Sequence, residues 1–374
     1  MSAKKAKKVR VAFRKNRTGR ARNNDLTREY DHESFDGDAT TAAERISGKG
    51  NLSRYRTVIS EERAEDGTVL PSVDTEACME GRVIRVHGLN STVETGDGRL
   101  YTCTTRRILK TLSTDQRHVV VAGDRVLFRD AEQPNRLEGM IERIEPRTGT
   151  LCRTSRYRKH VIVSNIDQVL IVSSAAEPDF KPNLIDRMLL TTEQAGLLPV
   201  IVVNKVDLVD PAELQPVVGV YAQMGYRVLL VSVKTGMGID RLRRLMRNRE
   251  SVVSGQSGVG KSSLLNAIDP GLDLRVGDIG TANKGTHTTT TAELIRLSGG
   301  GYVVDTPGLR QFMLWDIIPE EVAGLFRDLR PYEHLCRFPD CTHSHEDGCA
   351  IKNAVADGRL DLRRYESYLV LRGT

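Results

Sequence analysis

Hydrophobic and polar positions change their rhythm three times along the chain. Residues 1 to about 75 show few apolar runs, with Gly, Asp, Ser and Arg interspersed. Such a segment cannot bury enough apolar surface to offset its ordering entropy, and it predicts a mostly disordered extension over 1–77. From Glu80 short alternating runs appear. They are 81–86, 100–103, the apolar 118–121 leading through Ala122-Gly123-Asp124 into 125–128, and 139–144. Turn sequences such as Thr95-Gly96-Asp97-Gly98 separate them. Roughly five strands in about 70 residues predict a small closed β-barrel over 78–148. An oligonucleotide-binding (OB) barrel fits, with Arg82, Arg85, Arg106, Arg107 and Lys110 available for phosphates; a purely structural barrel would carry the same pattern.

From Gln168 apolar strands alternate with amphipathic helices, the mark of a parallel α/β sheet. Strands are expected at 169–172, 199–203 and 228–231, with a helix over 183–194 that Asn183 caps. A short basic helix follows over 239–246, then a strand at 251–253 and a helix over 261–268. A last helix is expected from about Ala354 to Leu371. The domains read as 1–77, 78–148, 149–325 and 326–374.

Composition adds limits. The 374 residues suffice for two or three domains, and 39% hydrophobic with 28% charged residues is ordinary for a soluble protein. No run approaches the ~18 apolar residues of a membrane span, so no membrane association is expected. The net charge of +6 conceals a basic start, with Lys4, Lys5, Lys7, Lys8, Arg10, Arg14 and Lys15 among the first residues. Such a run attracts polyphosphate, or merely solubilises. Of six cysteines, Cys336, Cys341 and Cys349 gather with histidines while Cys78, Cys103 and Cys152 are scattered. One metal site in a reducing compartment accounts for this better than disulfides do, and a cytoplasmic location follows as an expectation.

The chemistry lies in motifs set in an unusual order. Gly255-Gln256-Ser257-Gly258-Val259-Gly260-Lys261-Ser262 is a phosphate loop between a strand and a helix. Its glycines let backbone N–H groups close on an anion, Lys261 reaches the β- and γ-phosphates, and Ser262 faces Mg²⁺, with Ser263 opening the helix. Asn204-Lys205-Val206-Asp207 ends an apolar strand. The Asp207 carboxylate can accept from the ring N1–H and amine of guanine, Asn204 can bond the opposite edge, and the Lys205 stem can lie over the ring. Ser232 and Val233 would hold the guanine carbonyl through their backbone. Asp305 follows the run 302–304 and would hold Mg²⁺ through water, and the Gly308 N–H would sense the γ-phosphate. Between loop and strand, 284–291 is rich in hydroxyls; Thr289 is the expected Mg²⁺ ligand there, in a segment that orders around the γ-phosphate. Leu309 and Arg310 stand where a water-orienting glutamine is usual, so slow intrinsic hydrolysis is expected and His287 is the candidate to orient water. A solvated loop histidine is the alternative. The base-reading motif precedes the phosphate loop, so the chain is circularly permuted relative to the usual order.

Cys336-x4-Cys341-x-His343-x5-Cys349 offers three thiolates and one imidazole, a closed tetrahedral Zn²⁺ set, with His345 as an alternative to His343. Few core-forming side chains surround it, so metal would supply folding energy.

Together these residues resemble the circularly permuted GTPases of the RsgA/YjeQ type, over about 80–374. The resemblance rests on the permuted order, on 255–263, on His287-Thr288-Thr289-Thr290, on Asp305-Thr306-Pro307-Gly308 and on the cysteine spacing. It implies an OB-fold β-barrel, a permuted α/β P-loop GTPase core and a small helical zinc domain. It also implies binding to the immature small (30S) ribosomal subunit, its 16S rRNA and proteins, with subunit-stimulated hydrolysis tied to late maturation and release. His287 matches the family's switch histidine. A longer basic tail and Glu346-Asp347, where the family has Glu-Pro, are departures. A ribosome-independent GTP switch and an RNA scaffold with GTP as a structural ligand are the rival classes; a monomer is expected.

Overall fold

The computed structural model describes residues 7–12, 55–63, 69–106, 109, 119–131, 136–155, 158–274, 292–305 and 318–373. Three antiparallel strands lie in the N-terminal extension: β1 (Lys7–Ala12), β2 (Tyr55–Arg63) and β3 (Val69–Pro71), ordered β1-β2-β3. The expectation of a mostly disordered extension missed this sheet. Its pairing joins segments over forty positions apart, which local composition does not register. This extension, with residues 106–115, is a compact unit of its own.

The second unit begins with β4 (Met79–His87), β5 (Asn90–Thr95), β6 (Leu100–Thr105), β7 (Arg125–Asp130) and β8 (Glu138–Ile144). They pair in the order β4-β5-β6-β8-β7, and β7 returns to β4 to close a barrel. Only the β6–β8 pair is parallel, giving the Greek-key closure of an OB barrel. Inward positions alternate as the pleat requires: Val83, Val93, Tyr101, Cys103, Phe128 and Ile141 are all buried. The apolar run before Asp124, expected to be a strand, is instead a buried loop. The fully buried Asp124 carboxylate organises it, accepting from Val121 N at 2.9 Å, Ser164 Oγ at 2.6 Å and Arg147 Nε at 2.7 Å.

A hairpin of β9 (Leu151–Ser155) and β10 (Arg158–Val163) leads into the GTPase sheet. Its strands are β11 (Gln168–Ser174), β12 (Leu198–Asn204), β13 (Arg227–Leu230), β14 (Arg249–Gly255), β15 (Glu293–Arg296) and β16 (Gly301–Asp305). The spatial order is β13-β12-β11-β14-β16-β15, parallel except for β15. Helices α1 (Pro182–Gln194) and α2 (Pro211–Gln223) cover one face, with Ile185, Met188, Leu189 and Tyr221 packed on Val169, Ile171, Ile201 and Val203. Helices α3 (Ile239–Met246) and α4 (Lys261–Ile268) cover the other, on Leu170, Val172, Val200, Val202, Leu229 and Val231. Successive residues of β11 and β12 therefore feed two cores, which is why these strands read as unbroken apolar runs.

Helix α1 starts one residue earlier than expected. Lys181 is its N-cap and Pro182 its first residue, while the Asn183 side chain accepts from Ser367 Oγ at 2.6 Å. The C-terminal part holds two one-turn helices, α5 (Val322–Leu325) and α6 (Arg330–Glu333), then α7 (Ala350–Ala356) and α8 (Leu362–Arg372). The single helix expected near 354–371 is thus two. Gly358 at φ +70° breaks the chain and the Asp361 carboxylate recaps it, accepting from Arg363 N at 2.9 Å.

Candidate nucleotide site and metal centre

The described nucleotide motifs sit at the carboxyl ends of β12, β13, β14 and β16, the edge at which open α/β sheets bind ligands, with β11 between β12 and β14. Register sets their spacing: Gly255 pairs with Val172 of β11, whose Ser174 pairs with Asn204 of β12. Gly255 lies at φ +156°, and a Cβ there would meet the Val172 carbonyl oxygen at 2.2 Å. Gly260, at φ +89°, caps α4, and a Cβ on it would lie 2.6 Å from Asn204 Nδ2. The loop turns so tightly that only glycine fits at these two points. Lys261 Nζ lies along the loop, donating to the carbonyls of Gly255 at 2.8 Å and Gln256 at 2.7 Å. Lys261 and Ser262 are buried, Ser263 is partly so, and Val259 packs in the core under the loop. Gly258 and Ser257 are exposed and Gln256 is half-buried at its mouth.

Asn204 does more than its motif position suggests. Its Nδ2 donates to the Val259 carbonyl at 2.9 Å, tying the base-reading strand to the phosphate loop. Its buried Oδ1 has no partner among the described residues, so this side chain retains acceptor capacity toward a ligand. Lys205 adopts a left-handed conformation at φ +60°, and its Nζ donates to the Glu177 carbonyl in the loop after β11. Val206 is buried and its N–H bonds the Val231 carbonyl at 3.3 Å, leaving Asp207 exposed. The buried Ser232 donates its Oγ–H to Asp207 Oδ1 at 2.6 Å and accepts from Thr235 N at 3.1 Å. That first bond holds the Asp207 carboxyl below the usual carboxylate range. Val233 follows, half-buried. Sequence reasoning placed Ser232 here for its backbone and missed the hydroxyl, which aims the carboxylate. Asp305 ends β16, opposite Glu293 of β15. His287, Thr289 and Gly308 lie outside the described residues, as do Arg107 and Lys110 of the barrel.

Arg82 is not available to phosphate. Its guanidinium pairs with Glu250, donates to the Asn165 carbonyl at 3.2 Å and lies 4.9 Å from the Tyr302 ring centroid, joining barrel to GTPase sheet. Glu94 of β5 strengthens that joint, accepting from Arg296 at 2.8 Å and from the Tyr302 hydroxyl at 2.7 Å. Arg85 stays half-exposed, 3.6 Å from Glu293.

The cysteine motif closes on itself. Donor atoms of Cys336, Cys341, His343 and Cys349 all lie within 4.8 Å of one another. Cys336 Sγ is 3.4 Å and Cys349 Sγ 3.6 Å from His343 Nδ1, and the two sulfurs are 3.9 Å apart. Tetrahedral zinc requires edges of about 3.8 Å between sulfurs and about 3.5 Å from sulfur to nitrogen, so the set fits that ion with no open position. His345, 82% exposed, points away. Backbone clamps hold the knuckle: the Tyr365 hydroxyl donates to the His343 carbonyl at 2.7 Å, and that of Tyr368 to the Thr342 carbonyl at 2.8 Å. Glu346 accepts from the Thr342 hydroxyl and also from Thr342 N at 2.7 Å and Ser344 N at 3.1 Å. Against the opposing effect of desolvation these bonds, the hydroxyl's foremost, keep its carboxyl well below the ordinary range.

This domain docks on the GTPase core through a buried ionic cluster. Arg364 of α8, 3% exposed, pairs with Asp186 of α1 and forks onto Asp328 with two 3.0 Å bonds. The Tyr221 hydroxyl of α2 donates to Asp186 at 2.8 Å.

Comparison with known proteins agrees with this architecture. A family model described as RsgA GTPase matches residues 144–315. The small ribosomal subunit biogenesis GTPase RsgA of Sodalis glossinidius is 42% identical over 300 residues, 78% of this chain and 84% of that one. The protein of the same name from Chlorobaculum parvum is 40% identical over 303 residues, 78% of this chain and 97% of its own. Among solved structures, YjeQ from Thermotoga maritima superimposes with a TM-score of 0.65 at 35% identity, covering 79% of this chain and 97% of that one. YloQ, a circularly permuted GTPase, gives 0.62 at 30% identity, covering 80% and 96%. With its barrel, permuted nucleotide motifs and cysteine knuckle in common order, the chain belongs to the RsgA GTPase family.

Proposed function

We propose that this GTPase binds the small (30S) ribosomal subunit in the cytoplasm and hydrolyses GTP during late maturation, coupling hydrolysis to its own release. One observation carries the reading: similarity to relatives named for small-subunit biogenesis extends over 97% of one such protein, well beyond the GTPase core. A general GTP switch has no use for the barrel and knuckle that this span includes.

Each motif residue then takes a role. Backbone N–H groups of 257–262 and the start of α4 cradle the phosphates, with Lys261 on the β- and γ-oxygens. The Ser262 hydroxyl and Thr289 would hold the Mg²⁺ that accompanies GTP, with Asp305 nearby to orient its shell, and the ion would supply charge neutralisation at the phosphates. Asp207 reads the guanine N1–H and amine, aimed by Ser232, while Asn204 and the Lys205 stem flank the ring and the Val233 backbone closes on its carbonyl side. Gly308 senses the γ-phosphate, and His287 orients the attacking water. Cys336, Cys341, His343 and Cys349 hold one structural zinc.

GTP turnover by purified protein, alone and with 30S subunits, tests the reading beside a Ser262→Ala control. Subunits should raise turnover by at least tenfold, an effect that Ser262→Ala and His287→Ala abolish, as expected for a lost general-base or metal contact worth about 100-fold. Flat turnover despite tight GTP binding would reject the subunit-coupled half of the proposal.

A further inference from the structure

Helix α3 carries a charge pattern that nucleotide binding leaves unused. Its inner face, Ile239, Leu242 and Met246, is buried against the sheet. Its outer face and exit hold Arg241, Arg243, Arg244 and Arg247, all exposed. On a helix, positions three and four apart are neighbours, so these guanidinium groups form one stripe. Asp240 is the single acid on the helix, and Arg243 engages it while also donating to the carbonyls of Ile268 and Ala267, each at 2.9 Å.

The strands extend the stripe. Leu229 and Val231 face α3, so alternation turns exposed Arg227, at the start of β13, toward the same side. Gln168 of β11 bridges Ser251 Oγ of the neighbouring β14 at 2.9 Å and the Leu245 carbonyl of α3 at 3.3 Å through its Nε2, which fixes the face of Ser251 and hence of exposed Arg249. The cluster therefore descends α3 to the sheet edge opposite the phosphate loop. The side chains of Arg227, Arg241 and Arg247 make no hydrogen bond or ion pair among the described residues. Compensation of the α3 dipole explains one or two cations in the last turn, but not Arg227, Arg241 or Arg249. Every cation here is arginine, whose planar fork matches phosphate oxygens in pairs.

Resting on the subunit-binding reading above, we infer that this arginine face is an RNA-contacting surface that grips the phosphate backbone of a structured RNA, independently of the nucleotide pocket. The contact is sequence-independent and salt-sensitive.

The test uses the full chain with Arg241, Arg244, Arg247 and Arg249 all changed to Gln, and a matched set changed to Lys. Neither touches the nucleotide site, so GTP binding and unstimulated turnover should equal those of the unaltered protein. Affinity for purified 30S subunits and for a protein-free RNA duplex is measured against salt. The Gln set should make the slope of log affinity against log salt shallower by about 3 on both probes, and the Lys set should largely keep it. If the fourfold Gln protein does not fold, Arg241→Gln with Arg244→Gln should remove about half that change. Unchanged slopes would overturn the assignment while leaving the subunit reading intact. Weakened binding to subunits with unchanged binding to naked duplex would overturn it in favour of an acidic protein partner. An unaltered protein that binds duplex through these arginines but ignores 30S subunits would reject the subunit reading alone; binding to neither would reject both.

Discussion

At the scale of single residues, guanine recognition depends on one hydrogen bond that positions another group. Ser232 holds Asp207 at 2.6 Å and keeps its carboxyl below the usual range. A depressed folded-state value means that the carboxylate acceptor persists as pH falls through the ordinary carboxylate range of about 4. Ser232→Ala removes the largest cause of that depression, so the acid limb of guanine-nucleotide binding should move to higher pH. Titrating a fluorescent GDP analogue from neutral to acid pH checks this; superimposable limbs would mean the hydroxyl does not control the carboxylate. Asp207→Ala removes the charged acceptor itself and should weaken GTP binding by about 10- to 100-fold while leaving inorganic phosphate recognition at the loop unaffected. Gly260→Ala should weaken nucleotide binding as well, because its methyl group would displace the Asn204 amide that ties loop to strand.

At the scale of elements, the docking of α8 on α1 and α2 concentrates polar groups that have no access to water. Arg364 faces two carboxylates, and burial pushes the Asp186 carboxyl above its ordinary value even beside that guanidinium. Arg364→Ala leaves both acids buried without their cation and should cost about 3–5 kcal/mol of stability, read from denaturant unfolding. A loss below about 1 kcal/mol would show that the cluster relaxes into water, as exposed ion pairs do. The knuckle gives a second element-scale expectation. The expected shortage of core-forming side chains is corrected by the fold, in which Val322, Phe326, Leu329, Ile351, Leu360 and Tyr368 are buried together beside the ligands. One zinc per chain should be found by elemental analysis, and a chelator should lower the temperature at which α7 and α8 melt, because the ligand loop closes one side of their packing. Cys341→Ser should reproduce the chelator's effect.

For the whole molecule, the permutation changes which segments connect to which domain while leaving the sheet order of a GTPase intact. Asp305 ends β16, the last core strand in sequence, and the next α-helix among the described residues is α5 (Val322–Leu325) of the knuckle domain. On the other side, β15, which follows the switch segment in sequence, pairs with β4 of the barrel at Glu293–Arg85. The segments proposed to sense the γ-phosphate thus adjoin, along the sequence, two domains that are each also tied to the core by buried or half-buried charges: Arg364 for the knuckle, and Arg82 with Glu94 for the barrel. Hydrogen exchange should therefore differ between GDP and GTP-analogue states at β15 and β4 or at the start of the knuckle domain. Identical protection at both would mean that neither joint responds to the nucleotide.

The sequence alone determined the fold class and the cysteine–histidine cluster, because each is written in local chemistry. Apolar runs of one period mark barrel strands, runs of another mark the α/β layers, and glycines, thiols and carboxylates stand at fixed spacings within single segments. It also placed Asn204 at a strand end with Asp207 just beyond it, and Lys261 and Ser262 at the start of the helix behind the loop, since those motifs come with their own flanking elements. Tertiary structure decided whatever depends on partners distant in sequence. Arg82 reads as a phosphate ligand until Glu250, 168 residues away, takes it. The run before Asp124 reads as a strand until Ser164 and Arg147 bind that carboxylate and bend it into a loop. Asn183 reads as a helix cap until Ser367 claims it, and Ser232 as a backbone donor until Asp207 comes within reach. Arg227 and Arg249 join the arginines of α3 only because parallel pairing puts their strands beside one helix. Spacing along a chain specifies chemistry that fits within one turn or one strand; long-range pairing specifies which polar group each charge meets, and that required the fold.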